Sequence, residues 1–148
     1  IVEEVVKKHN INFHDPIDII SKVGGYDIGA MAGVFLGAAF YRIPVVIDGF
    51  ISVVAALLAN RLNPLVKEFC FTSHKSQEIG YELAIKELGL DPMLDLNMRL
   101  GEGSGCPIAF SVIDFATAMM NNMATFEEGN IDNSYLEDVK DEECYIVL

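Results

Sequence analysis

An apolar, largely β-branched run at residues 43–48 lies between two long apolar stretches and constrains the fold more than any other segment. A strand that is apolar on both faces is typical of a parallel sheet covered by helices on both sides. The stretch before it, Tyr26–Tyr41, carries no charge from Ile28 onward, and Phe50–Leu62 after it is apolar nearly all round. We therefore predict a helix, a central strand and a second buried helix in that order.

Strand-like and helical patterns continue to alternate further along the chain. Residues 68–74 form a second apolar run that ends in polar side chains, residues 77–88 have a helical pattern, residues 93–96 suit a short strand, and residues 108–123 are helical. Strand–helix alternation is typical of right-handed βαβ units. The predicted fold class is α/β, with a parallel β-sheet flanked by helices, and strands 45–47 and 68–72 are expected to lie parallel in one sheet.

Helix ends and buried faces follow from a few further residues. Asp15 can cap a short helix that starts at Pro16 and ends at Gly24, and Ser76 is expected to cap the helix at 77–88, which Gly89 closes. Glycines four residues apart give the helix at 26–41 a smooth stripe for close packing. The methionines at the end of the last helix have helical spacing and are expected to pack in the core; they are Met119, Met120 and Met123.

Residues 98–107 alternate three glycines with Glu102 and Ser104, between a strand-like run and a helix that begins near Pro107. Glycine accepts positive φ and allows a ligand to approach the main chain, and a helix N-terminus favours an anion or an electron-rich group. Burial in an apolar pocket raises the pKa of a carboxylate, so Glu102 is a candidate general base. A tight strand-to-helix turn with a solvated glutamate explains the spacing equally well.

Polar side chains follow the apolar runs at Asp48, Ser73, His74 and Glu102. Because ligands of parallel sheets bind beyond the carboxyl ends of the strands, these residues predict a site at one sheet edge. Each also has a structural interpretation, since Asp48 precedes a glycine in a turn, His74 can be a capping or hydrogen-bonded histidine, and Ser76 is first of all a helix cap.

Charge and cysteine spacing exclude several functions. The net charge of −12 argues against nucleic acid, and the uncharged run of fourteen residues is shorter than the ~20 that a membrane helix needs. Three scattered cysteines without metal-ligand spacing fit a reducing cytoplasm, and no metal or cofactor is predicted. No signal peptide is recognisable, and a chain that starts at Ile1 within a helical pattern is expected to be a fragment.

The expected organisation is one α/β domain followed by an acidic segment. Residues 1–126 are expected to be the C-terminal part of that domain. Residues 127–148 contain eight acidic residues and one lysine among positions 127–143, so we expect a solvated helix or a frayed tail there. The last four residues are apolar and can dock on the body or on a partner.

Several blocks together resemble the nicotinate-nucleotide–dimethylbenzimidazole phosphoribosyltransferases, in order from about residue 24 to residue 126. The blocks are Gly24-Gly25-Tyr26-Asp27-Ile28, Ala32-Gly33, Leu36-Gly37, residues 43–52, Ser73-His74-Lys75-Ser76 and residues 98–105. The resemblance implies a Rossmann-like sheet of the nucleotide-binding type with a small helical domain, assembled as a homodimer. It also implies transfer of the ribose phosphate of nicotinate mononucleotide to dimethylbenzimidazole, giving α-ribazole phosphate and nicotinate.

The same resemblance assigns roles to individual residues. The family's catalytic base matches Glu102, which would take the ring N–H proton of dimethylbenzimidazole in a flat apolar pocket lined by Leu100. The other positions matched to substrate binding are Gly24, Gly25, Asp27, Asp48, His74, Ser76, Leu100, Gly101 and Gly103.

The chain departs from the family at its front. Two glycine-rich segments, of the Gly-x-Gly-Asn-Thr-Thr and Gly-x-Gly-Thr-Gly kinds, are expected upstream and do not occur here. The glycine-striped helix from Tyr26 and the apolar helix from Phe50 are hard to bury in 148 residues, so we expect a dimer, as the resemblance implies, a larger oligomer, or association with the missing N-terminal half. Two alternatives stay open: a non-catalytic α/β domain that keeps the fold and the oligomer surface, and a binding module that uses the 101–105 loop for a mononucleotide.

Overall fold

The computed structural model describes residues 2–132. Within them the helices are Val2–His9 (α1), Pro16–Val23 (α2), Tyr26–Tyr41 (α3), Phe50–Leu62 (α4), Tyr81–Leu88 (α5) and Cys106–Asn122 (α6). The strands are Val45–Ile47 (β1), Cys70–Thr72 (β2), His74–Ser76 (β3) and Leu94–Met98 (β4), and a 3-10 helix spans Pro64–Phe69. Parallel strands with flanking helices confirm the α/β class, and the observed bounds of α3 and α4 match the predicted ones.

The strands form two parallel pairs. β1 pairs with β2 in the register Val45 to Cys70 and Ile47 to Thr72, which confirms the predicted parallel neighbours. β3 pairs with β4, with an irregularity between His74 and Ser76. Ser73 links the pairs, because its amide donates to the carbonyl of Ile47 at 2.9 Å and its carbonyl accepts the amide of Leu94 at 3.1 Å. Residues 68–74 are therefore not one strand, since the chain changes its pairing partner at Ser73.

The hydrophobic core is centred on α4. Its Val53, Ala55, Ala56 and Ala59 are fully buried, as expected for a helix that is apolar nearly all round. The small alanine side chains allow α3 and α5 to pack closely on α4, and β1 adds Ile47. This packing fixes the position of the carboxyl end of β1, where the candidate site begins.

The predicted helix ends are confirmed at four positions and wrong at one, and the first of the four is Gly24, which follows α2 as its C-cap. The Asp15 carboxylate accepts the amides of Ile17 and Asp18, Pro16 starts α2, and Gly89 closes α5 with φ +73°. Ser76 instead lies in β3, and α5 begins only at Tyr81. The amide of Gln77 still donates to the carbonyl of Met98 at 3.1 Å, so the extended pairing continues through the position where a helix was expected to start.

Two apolar faces remain open in the described residues. A Cβ built on Gly33 or Gly37 would meet no atom within 4 Å, so no backbone packs closely on the glycine stripe of α3. The expectation that Met119, Met120 and Met123 pack in the core is wrong for this part of the chain, because they are 62%, 84% and 71% exposed.

The chain divides into two compact units, residues 1–112 and 113–148, with the boundary inside α6. The predicted boundary after residue 126 stays a prediction. Residues 133–148, which hold most of the acidic segment and the apolar C-terminus, lie outside the described part of the chain.

Among residues 2–132, every helix is too short or too polar to cross a lipid bilayer.

Candidate functional site at the carboxyl ends of the strands

Asp48 connects the end of β1 to the glycine loop that precedes α6. Its Oδ2 accepts the amide of Gly103 at 3.0 Å and its Oδ1 accepts the amide of Gly105 at 2.8 Å. The side chain is only 13% exposed. One carboxylate therefore brings together two segments that lie more than fifty residues apart in the sequence.

Ser73 and His74 lie beneath the loop, next to Asp48. His74 is buried, with Nδ1 at 2.9 Å from Oγ of Ser73 and 3.7 Å from Oδ1 of Asp48. The Ser73 hydroxyl donates to the backbone carbonyl of Asp48 over a long 3.4 Å, and the buried Tyr81 hydroxyl donates to the carbonyl of His74 at 2.8 Å. The imidazole thus supports the loop from below.

The loop backbone has a run of left-handed residues. The φ angles of Gly101, Glu102 and Gly103 are +78°, +56° and +76°. Two of these positions suit glycine, whereas a glutamate in this region is uncommon and costs free energy. Such conformations persist where the surroundings hold them, and the two hydrogen bonds to Asp48 do so here.

Gly105 lies at the point where the loop becomes helix α6. Its carbonyl accepts the amide of Ala109, which begins the helical hydrogen bonding. A Cβ built on Gly105 would overlap Nδ1 of His74 and would lie 2.8 Å from Oγ of Ser73. Only a residue without a side chain fits between the helix start and the buried pair.

Cys106 is the first residue of α6, and its surroundings disfavour the thiolate form. Burial, and next the negative charge of Asp48, raise the pKa of the Cys106 thiol. Because the thiolate is the nucleophilic form, this environment disfavours covalent catalysis by Cys106.

Among residues 2–132, no group of three or more His, Cys, Asp or Glu side chains is arranged to hold a metal ion.

The structure places Glu102 on open surface. Glu102 and Gly103 are exposed, and Leu100 is 76% exposed. The expected dry apolar pocket around Glu102 is therefore not formed by the described residues, because none of their segments covers the outer side of the loop. The flanking glycines leave the main chain beside Glu102 accessible to a flat ligand.

The remaining predicted site residues belong to other segments of the chain than the 101–105 loop. Gly24, Gly25 and Asp27 form the junction between α2 and α3, and no hydrogen bond in residues 2–132 links them to the 101–105 loop. The Oγ of Ser76 accepts the amide of Glu78 at 3.3 Å. The structure thus brings together Asp48, His74 and Gly103, with Gly101 two residues before Gly103 in the same loop. Within residues 2–132, no hydrogen bond joins the α2–α3 junction or the Ser76 side chain to that group.

Two features of the site escaped the sequence analysis. Gly105 was absent from the predicted site residues, although a third alternating glycine directly before a helix is the signal that could have identified it. The sequence pattern at Asp48 predicts either a ligand group or a turn residue before a glycine, and it does not predict an acceptor for the loop amides. Both features depend on contacts between segments distant in sequence.

Comparisons with known proteins agree on one family. A family model described as phosphoribosyltransferase matches residues 1–131. A relative from Clostridium perfringens, named nicotinate-nucleotide–dimethylbenzimidazole phosphoribosyltransferase, is 99% identical over all of this chain. A relative of the same name from Clostridium acetobutylicum is 55% identical over 89% of this chain. The chain spans 41% and 38% of the lengths of these two relatives.

Solved structures show the same similarity in three dimensions. A crystal structure of a nicotinate-nucleotide–dimethylbenzimidazole phosphoribosyltransferase from Thermus thermophilus matches with a TM-score of 0.75 and 35% identity over 80% of this chain. A second crystal structure, of CobT from the same organism, matches with a TM-score of 0.81 and 32% identity over 90% of this chain. These matches cover 36% and 39% of the crystallised chains.

Proposed function

This chain belongs to the phosphoribosyltransferase family, and we propose that it is part of an enzyme that transfers ribose phosphate from nicotinate mononucleotide to dimethylbenzimidazole. The products are α-ribazole phosphate and nicotinate. The observation that carries this proposal is the near-identity to the Clostridium perfringens relative over the whole chain. Because the chain spans less than half of that relative, the activity is proposed for the longer protein that contains this segment.

In the proposed reaction, Glu102 is the general base. One ring nitrogen of dimethylbenzimidazole attacks the anomeric carbon of the ribose while the bond from that carbon to the nicotinate nitrogen breaks. Nicotinate leaves with the electron pair of that bond. The other ring nitrogen of dimethylbenzimidazole loses its proton to the Glu102 carboxylate, so the product is neutral at the ring.

The surface position of Glu102 is compatible with this role if other groups complete the pocket. The loop presents Glu102 between two glycines, and its main chain is held by Asp48 from below. A flat aromatic ligand and polypeptide outside this segment would then exclude water from the outer side of the loop. Gly24, Gly25, Asp27, His74 and Ser76 remain proposed substrate-side residues by family resemblance alone.

The proposal includes an assembly that covers the open apolar faces. The exposed residues on α3 include Val34, Phe40 and Tyr41, and those on α6 include Phe115 and Met120. Exposed apolar area of this kind marks an interaction surface. We expect this surface to be covered by the remainder of the polypeptide or by a second subunit of a homodimer. We also expect the protein to be cytoplasmic.

The test is Glu102→Gln in the full-length protein. Glutamine keeps the size and hydrogen-bonding capacity of glutamate but cannot accept the proton, so kcat should fall by about 100- to 10,000-fold. Dimethylbenzimidazole should still bind in calorimetry, because the ring's surroundings are unchanged.

Glu68→Gln is the matched control. Glu68 is exposed and precedes β2, so it lies near the opposite end of that strand from Ser73 and the loop, and its removal should leave kcat unchanged. Turnover like wild type in Glu102→Gln would refute the base assignment. A wild-type protein that binds both substrates without turnover would favour the non-catalytic alternative.

A further inference from the structure

We propose that Asp48 is a positioning residue that sets the main-chain conformation of the 101–105 loop and thereby aims Glu102. The proposal rests on the proposed role of Glu102 as the base. It also reassigns Asp48 from substrate binding, because the structure engages each of its carboxylate oxygens with a loop amide.

The hydrogen bond to Gly103 acts directly on Glu102. The amide of Gly103 belongs to the peptide plane that contains the carbonyl of Glu102. A fixed acceptor 3.0 Å from that amide therefore fixes the orientation of the plane on the C-terminal side of Glu102. The second bond, at 2.8 Å to the amide of Gly105, holds the other end of the turn against the start of α6.

The carboxylate is well suited to hold an uncommon backbone conformation. Hydrogen bonds to an ionised acceptor are about twice as strong as neutral ones. Its negative charge also lies near the N-terminus of α6, where the helix dipole stabilises it. Asp48 itself is anchored by following β1 and by the Ser73 hydroxyl on its backbone carbonyl.

Two observations point away from a purely local turn. Glu102 lies between two left-handed glycines in a conformation that a glutamate seldom adopts. The buried His74 and Ser73 close the underside of the loop, so the loop backbone cannot relax toward the sheet. The arrangement leaves Glu102 directed outward on a turn that Asp48 holds from below.

The kinetic test uses Asp48→Asn in the full-length protein. Asparagine has the same shape but a single acceptor oxygen and no charge, so one loop amide loses its partner. We expect kcat to fall about 10- to 100-fold, the range of one lost charge-assisted hydrogen bond, while KM for both substrates changes little. Asp91→Asn, at an exposed aspartate that precedes β4, is the matched control and should leave kcat unchanged.

The double variant Asp48→Asn with Glu102→Gln separates positioning from direct participation. If Asp48 acts through Glu102, the double variant should be no slower than Glu102→Gln alone. A product of the two single effects, or a large rise in KM for nicotinate mononucleotide, would mean that Asp48 contacts substrate and would overturn the proposal.

Glycine-selective NMR provides a readout that does not depend on the base assignment. In the wild-type protein, the amide protons of Gly103 and Gly105 should lie downfield and exchange slowly with solvent. The amide of Gly101, which donates no hydrogen bond within the described residues, should exchange fast. In Asp48→Asn, the Gly103 and Gly105 resonances should move upfield while that of Gly89 stays in place.

The outcomes are distinguishable. Fast exchange at both Gly103 and Gly105 in the wild type overturns the positioning role even if Asp48→Asn fails to fold. Slow exchange at both amides, combined with full turnover of Glu102→Gln, would support the hydrogen bonds to Asp48 and refute the assignment of Glu102 as the base.

Discussion

Gly105 lies directly against the imidazole ring of His74, with no space for a side chain between them. A Cβ at Gly105 would overlap Nδ1 of His74, and the ring is buried and hydrogen-bonded to Ser73. Neither partner is the free end of a flexible side chain. This contact joins the start of α6 to β3.

Gly105→Ala should therefore destabilise the chain. Forcing a methyl group into a filled space costs about 1–3 kcal/mol, because the helix start or the His74 ring must shift. Gly33→Ala is the control, since a Cβ there meets no atom within 4 Å in the middle of α3. That control should be neutral or stabilising by up to about 1 kcal/mol. Urea denaturation of the 148-residue chain measures the free energy of unfolding of both variants. Equal changes in Gly105→Ala and Gly33→Ala would contradict a close contact between Gly105 and His74.

Tyr81 should make the stability depend on pH in the alkaline range. Burial, and next the charge of Glu82, raise the pKa of Tyr81 to about 12. The folded-state pKa lies above the unfolded value of about 10, so this contribution is complete below pH ~10 and is lost as pH rises toward ~12. Tyr81→Phe should abolish that part of the decline.

The same variant should cost about 1–3 kcal/mol at neutral pH, because the buried carbonyl of His74 loses its donor. Denaturation curves collected between neutral and strongly alkaline pH measure both effects. An alkaline decline of equal steepness in Tyr81→Phe and wild type would assign it to other groups.

The two described thiols should react slowly with alkylating reagents. Burial raises the pKa of Cys70 to about 11 from an ordinary 9.0, so at pH 8 its thiolate fraction is about 100-fold below that of a free thiol. Burial and the charge of Asp48 act in the same direction on Cys106. Peptide mapping after timed iodoacetamide treatment measures each site.

Asp48→Asn should then increase the rate at Cys106 relative to Cys70, because only Cys106 has the carboxylate beside it. An unchanged ratio of the two rates would contradict the electrostatic contribution of Asp48.

Asp15 should contribute a measurable share of the stability of α2. Its carboxylate accepts the amides of Ile17 at 2.9 Å and Asp18 at 3.3 Å. Asp15→Ala removes the cap and should cost about 1 kcal/mol, whereas Asp15→Asn keeps an acceptor and should cost less. Thermal unfolding of the two variants gives the comparison, and identical midpoints would show that solvent replaces the cap.

The sequence predicted those elements whose boundaries depend on local chemistry. The bounds of α3 and α4 follow from apolar runs that are preceded by glycines, and the end of α5 follows from Gly89. The start of α5 was misplaced because a tertiary hydrogen bond from Gln77 to Met98 prolongs the extended chain. Local propensity contains no information on that bond.

The location of the candidate site follows from the sequence, but the roles of its individual residues do not. The edge rule for parallel strands brings Asp48 and the glycine loop to one place, and the structure does the same. The rule does not say whether the carboxylate faces a ligand or the amides of Gly103 and Gly105. That outcome depends on competition among hydrogen-bond partners, which is decided only when the loop has folded.

The division of the strands into two sheets of two strands each affects how the protein behaves in solution. Within residues 2–132, β1 pairs only with β2, so β1 is an edge strand. Edge strands are templates on which another chain can add, and natural proteins cover or charge them. Here the Val46 carbonyl of β1 is contacted by the Cys106 thiol at 3.8 Å, a weak contact that does not supply a pairing strand. The 148-residue chain expressed alone should therefore be prone to aggregate at high concentration, and co-expression with the remaining polypeptide should keep it in solution.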